Sequence, residues 1–196
     1  MKCSIFSFLL LLLASFGKAQ DVKLASGKIE GLKGVDSFHI VFDYTKLSVG
    51  DAGREANYIR LKRAEAEKRA PGSAYAWEEK WRNDKGKHYE PKFIEQFLKA
   101  SDIKVGDFPD TRYQLIFKPM LLEPGYSNGV INKAAKLDAE VWIVEKDNPK
   151  KALVKIKVEN AAAKGKYDED PALRIAEAYG DAARGLSRFL GTGLKK

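Results

Sequence analysis

Two stretches in the second half of the chain alternate between apolar and polar residues, and few folds satisfy both. In the first, Leu137, Ala139, Val141 and Ile143 alternate with Asp138, Glu140 and Trp142; in the second, Ala152, Val154, Ile156 and Val158 alternate with Lys155, Lys157 and Glu159. A period of two is the pleat of a β-strand with one dry face. Asp147-Asn148-Pro149-Lys150 lies between the runs and is a turn signal, so the pair predicts an antiparallel hairpin. Its dry face, Val141, Ile143, Val154 and Ile156, needs another layer to cover it.

The rest of the chain supplies candidates for that layer. Ser37 to Tyr44 alternates Phe38, Ile40, Phe42 and Tyr44 with Ser37, His39, Val41 and Asp43, and reads as a strand. So does Arg112 to Leu122, where Pro119 places the far end at a sheet edge or a bulge. Between these strands the composition turns helical. Residues 54–70 are rich in Ala, Glu, Lys, Arg and Leu, with a thin stripe of Ala56, Ile59, Arg63, Ala66 and Ala70 on a charged helix. Pro71-Gly72 ends it, Ser73 can cap a short segment carrying Trp77 and Trp81, residues 83–87 read as a polar turn, and Pro91 opens a helix with Phe93, Ile94, Phe97 and Leu98 on one side.

Asp170-Pro171 marks a last helix start, and Leu173, Ala176, Tyr179, Leu186 and Leu190 follow at helical spacing up to Gly191, with Arg174, Glu177, Asp181, Arg184 and Arg188 on other faces. Gly180 and Gly185 inside that helix suggest a close approach to the sheet. The element order therefore predicts an α+β fold: a two-layer sandwich of a four-stranded mixed, mostly antiparallel sheet with helices packed on it. The long helical crossover between the first two strands allows that pair to be parallel.

The amino terminus carries Lys2, an apolar run from Ile5 to Phe16 with five leucines at 9–13, and Gly17-Lys18-Ala19, the three regions of a signal peptide. About a dozen apolar residues fall short of the roughly 20 that span a bilayer. The expectation is residues 1–19 as a leader cleaved after Ala19, residues 20–196 as a single domain, a periplasmic or secreted location and no integral membrane span. Cys3 is the only cysteine, so the chain after Ala19 has no thiol for catalysis, disulfides or lipid attachment. The net charge of +8 falls to +6 once the two leader lysines are removed, with both signs interspersed, which reads as a solvated surface and not as a nucleic-acid footprint.

Several phrases carry a family likeness: Val41-Phe42-Asp43-Tyr44, Tyr89-Glu90-Pro91-Lys92-Phe93, Glu123-Pro124-Gly125-Tyr126, and Arg174 to Gly180 (RIAEAYG). Together they resemble a family of uncharacterised exported proteins of Gram-negative bacteria. The order of elements also looks like the small α/β modules of envelope proteins, such as the TolB N-terminal domain and the CsgG-type accessory proteins. The resemblance implies a location in the periplasm or outside the cell and brings no catalytic residue with it.

The usual chemistry-bearing patterns are missing from the sequence. His39 and His88 form no metal-ligand spacing, there is no Gly-x-Ser-x-Gly elbow, and Gly191-Thr192-Gly193, at a frayed C-terminus, has no helix after it to hold a phosphate. No cofactor is called for. Asp43, Glu55, Glu90 and Glu123 sit near element ends, where paired carboxylates of a small hydrolase could converge. Against that stands an aromatic group at residues 75–89. Tyr75, Trp77, Trp81, Tyr89 and, in the loop 123–133, Tyr126 form the candidate binding surface, because tryptophan and tyrosine stack on sugars and anchor partners. The sequence thus points to a non-enzymatic envelope module that binds a protein or a surface glycan, with a periplasmic hydrolase as the alternative.

Overall fold

In the computed structural model, which describes residues 20–128, 130–162 and 169–195, each alternating run becomes a strand. The strands are β1 (Asp21–Gly27), β2 (Ser37–Phe42), β3 (Ser48–Val49), β4 (Lys104–Gly106), β5 (Tyr113–Glu123), β6 (Tyr126–Ser127), β7 (Asn132–Lys133), β8 (Lys136–Glu145) and β9 (Asn148–Ala161). The helices are α1 (Glu55–Arg69), α2 (Ala74–Asp84), α3 (Glu90–Ala100) and α4 (Pro171–Lys195). The leader at residues 1–19 lies outside the described residues. Among those described, no helix is long and apolar enough to cross a membrane.

The fold is α+β, but the main sheet has seven strands where four were expected, in the order β1-β9-β8-β5-β2-β4 with β3 beside the far end of β5. The extra strands escaped the periodicity for physical reasons. β3 and β4 have two and three residues, too few to show a period, and β1 is an edge strand exposed along most of its length. β2 pairs parallel with β5 across the helical crossover, while β5, β8, β9 and β1 run antiparallel. Pro119 belongs to an interior strand, where a bulge between Pro119 and Leu121 takes up its missing N–H.

In the β8–β9 hairpin Val141 faces Ile156 and Ile143 faces Val154, all essentially without solvent contact. Phe42, Phe93, Phe117 and Tyr179 meet edge-on or tilted within 4.4–5.9 Å, which puts α3 and α4 together on one face of the sheet. On strand positions of opposite parity, Trp142 lies between the ammonium groups of Lys118 and Lys155, each 4.3 Å from its ring.

Three expectations for the helices change. The segment 83–87 is not a turn: α2 runs into α3 through a π turn, Lys85–Tyr89, in which Glu90 N–H donates to the Lys85 carbonyl. A proline ring collides with the carbonyl four residues before it, here Lys87, and winding one extra residue into that turn accommodates Pro91 without breaking the helix. Next, α4 continues through Gly191-Thr192-Gly193 to Lys195, because Leu194 is buried and Lys195 pairs with Asp102 at 3.0 Å. Finally, Gly180 admits α3, not the sheet: a Cβ there would stand 3.1 Å from Gln96 Cγ and 3.3 Å from Lys92 Cγ.

Candidate functional site

Helix α2 places Trp77, Lys80, Trp81 and Asp84 at i, i+3, i+4 and i+7, one face of the helix. α1 answers with Tyr58, Lys62 and Arg69. The start of α4, the Pro124-Gly125 turn after β5 and Tyr89 of the π turn close the remaining sides, leaving a cavity of about 400 Å³.

Its aromatic wall is a three-ring cluster. Trp77 and Trp81 lie nearly parallel, 5.9 Å apart at 11°, and Tyr58 packs against both, 4.9 Å from Trp81 and 6.1 Å from Trp77. Trp81 is buried and its indole N–H donates to Glu55 Oε1 at 2.7 Å, while Glu55 also pairs with Lys85 at 2.7 Å. Those contacts join α2 to the first turn of α1, where the acid also meets the positive end of the helix dipole. Trp77 is half-buried and makes no such bond. One indole is structural, and the other presents itself to the cavity.

The polar wall is built around α4. Asp170 caps that helix by accepting the Ala172 N–H at 2.9 Å, and Lys80 ties it to α2, lying 3.6 Å from Asp170 and 2.9 Å from Asp84. Arg174 is buried and donates from Nε to the Pro124 carbonyl at 2.9 Å and from Nη2 to the Gly125 carbonyl at 3.3 Å. Gly125 needs its φ of 63°, and a Cβ there would fall 2.2 Å from the Lys133 carbonyl oxygen. Burial pushes the Tyr58 hydroxyl up to about 12, with Glu65 adding to the effect, and burial likewise raises Tyr89, so both remain proton donors at neutral pH.

Of the five residues singled out in the sequence, the structure brings three to this cavity. Trp77 lines it, half-buried. Trp81 and Tyr89 also line it, but they are 6% and 1% exposed, so neither is the open recognition surface that was expected. Tyr75 is 72% exposed and points away, two residues from Trp77 on a helix, and Tyr126 is exposed on β6 beyond the cavity's edge. Sequence reasoning missed Tyr58, Lys62, Arg69, Lys80 and Arg174. The spacing of Tyr58 and Lys62 was legible, but pairing α1 with α2 depends on tertiary packing, and Arg174 had been assigned to an outer face of its helix.

Asp43, Glu55, Glu90 and Glu123 do not gather here. Asp43 is held by Lys118 and Thr45, Glu55 by Trp81 and Lys85, and Glu90 accepts the Tyr44 hydroxyl at 3.1 Å; none of the four lines the cavity. Among the described residues, no group of three or more His, Cys, Asp or Glu side chains could hold a metal ion.

No protein-family model and no curated protein match the chain. Among solved structures it is similar to the PelC dodecamer from Paraburkholderia phytofirmans in two crystal forms, one of them a point variant. Each matches at 11% identity and a TM-score of 0.36, over 84% of this chain and 98% of that chain.

Proposed function

We propose that this chain is an exported, non-enzymatic envelope module that binds a surface glycan in the cavity between α1, α2 and the start of α4. The observation that carries the reading is the half-buried Trp77 indole, held flat against Trp81 at the wall of a cavity of about 400 Å³. That volume suits a sugar unit or two and not a protein face. An indole pre-stacked on a buried neighbour offers a rigid apolar plane to the C–H face of a pyranose at little entropic cost. The leader-like segment 1–19 supports export.

The hydrolase alternative needs two acids facing one substrate. Asp84 is the one acid lining the cavity, and Lys80 already holds it. Asp43, Glu55, Glu90 and Glu123 do not reach the lining.

Purified protein presented to an array of glycans prepared from a Gram-negative envelope tests the reading. The expected outcome is retention on a subset of glycans, lost by about 2 kcal/mol in Trp77→Ala with the circular dichroism spectrum preserved. Failure to retain any glycan, or undiminished binding by Trp77→Ala, would overturn it.

A further inference from the structure

We propose that the sugar unit taken up by this cavity is acidic, its carboxylate received by Lys62 and Arg69 and by the Tyr89 hydroxyl. The inference rests on the glycan reading above and adds to it the chemical class of the ligand.

The charge of the lining comes first. Lys62, Arg69, Lys80 and Arg174 face the cavity against a single acid, Asp84. Asp84 pairs with Lys80 at 2.9 Å, Lys80 also lies 3.6 Å from Asp170, and Arg174 is engaged with backbone carbonyls, which leaves Lys62 and Arg69 as the cations for a ligand. Lys62 has Glu65 as an exposed partner at 2.7 Å, and such exposed pairs are weak enough for a ligand to compete with. A cavity walled by low-dielectric aromatic rings concentrates the field of these cations on whatever enters.

The second observation is independent of charge. Tyr89 lines the cavity, is 1% exposed, and its hydroxyl has no hydrogen-bond partner among the described residues. Buried hydroxyls are almost always bonded, so an orphan at a cavity wall marks a donor that a ligand completes. Its surroundings keep it protonated: burial first, then the negative field of Asp84, raise its pKa.

The third is the imbalance of hydrogen-bonding types. Neutral sugars are rows of hydroxyls and are gripped by acceptor side chains together with donors. This lining is donor-rich: Lys62, Arg69, Lys80 and Arg174 can only donate and the Tyr58 and Tyr89 hydroxyls can donate or accept, while the one carboxylate, Asp84, is already committed to Lys80. A donor-rich wall calls for an acceptor-rich ligand. A carboxylated pyranose supplies two strong acceptor oxygens at one corner and keeps an apolar face for Trp77.

The test measures binding of trimers of galacturonate, mannuronate and guluronate and of their carboxyl-reduced counterparts to the full chain by calorimetry. At least one carboxylated trimer should bind tenfold or more tighter than its reduced form, and raising salt from 50 to 500 mM should weaken that probe several-fold while sparing the reduced one. Arg69→Gln, at an exposed position, and Lys62→Gln, at a part-buried one, should each cost the acidic probe roughly fivefold and the reduced probe clearly less. Tyr89→Phe should do the same by a smaller factor.

Equal affinity for acidic and reduced trimers would overturn the inference and leave the glycan reading standing. Binding of neither set overturns the inference as well, and the envelope array then decides the broader reading separately. Equal weakening of both probes by Arg69→Gln would show that the arginine shapes the cavity without recognising charge.

Discussion

The half of the molecule formed by β5, β8, β9 and α4 and the half formed by α1 and α2 solve the same problem with different materials. In the first, helix and sheet are sealed by aliphatic side chains and alanines with no solvent contact: Val141, Ile143, Val154 and Ile156 below, Ile175, Ala178, Ala182 and Leu186 above. In the second, two charged helices meet through three aromatic rings and ion pairs such as Glu55–Lys85 and Arg63–Glu78. Small, shape-matched residues pack to crystal-like density, whereas large flat rings splayed at 50–60° leave space between their edges. The cavity lies where the packing material changes. The sheet half is closely filled, and the aromatic half leaves a cavity of about 400 Å³.

The comparison breaks most visibly in the hairpin. Val154→Asp places an unpaired carboxylate where the native side chain is 1% exposed, and should cost about 5 kcal/mol or more. Lys155→Asp, one residue along on the other face, gives up its contact with Trp142 and should cost about 1 kcal/mol. Denaturant melts that place the two variants together would show that the hairpin does not have a dry and a wet face.

The second contrast separates the two indoles. Trp81→Ala removes a buried ring and leaves Glu55 without its indole donor, so it should lower stability by roughly 3 kcal/mol or more. Trp77→Ala should cost less than half of that, because its ring is half-buried and makes no hydrogen bond, while weakening glycan binding by about 2 kcal/mol. Similar melting losses for both would mean that the α1–α2 lobe is an ordinary core.

The smallest effect concerns Asp43, on the sheet side. Partial burial pushes its carboxyl up, but hydrogen bonds from Lys118 and Thr45 outweigh this and hold the folded pKa at about 2, below the ordinary 3.8. A lowered folded pKa means stability that is complete above pH 3.8 and is lost as pH falls through 2. Allowing for solvent screening, the contribution is about 1 kcal/mol, and Asp43→Asn should flatten the acid limb of stability by that amount between pH 4 and pH 2.

Where a local pattern settles the outcome, the sequence was enough. The alternation at 137–158 gave the hairpin and its buried face, and Asp170-Pro171 gave the start of α4. It fell short where tertiary context decides. β1 becomes a strand because β9 offers it an edge, and its exposed residues carry no period. Lys85 to Tyr89 has the composition of a turn, yet it stays wound because both flanking helices are packed. At the candidate site, Trp77, Trp81 and Tyr89 could be read from 75–89, since stacking residues announce themselves, but Tyr58 on α1 could not. The cationic half could not, because Lys62, Arg69 and Arg174 resemble any other surface cation until α1, α2 and α4 are brought together.

The π turn at Lys85–Tyr89 carries one residue more than an α-turn would, and in an α-helix each residue advances the side chains by 100°. That surplus offsets the angular phase of α2 from that of α3. Phe93 and Phe97 are committed to the sheet, and in an uninterrupted helix that commitment would also dictate where Trp77 and Trp81 point. With the offset, Trp77 and Trp81 face the cavity while Phe93 and Phe97 of the same helical run close the core.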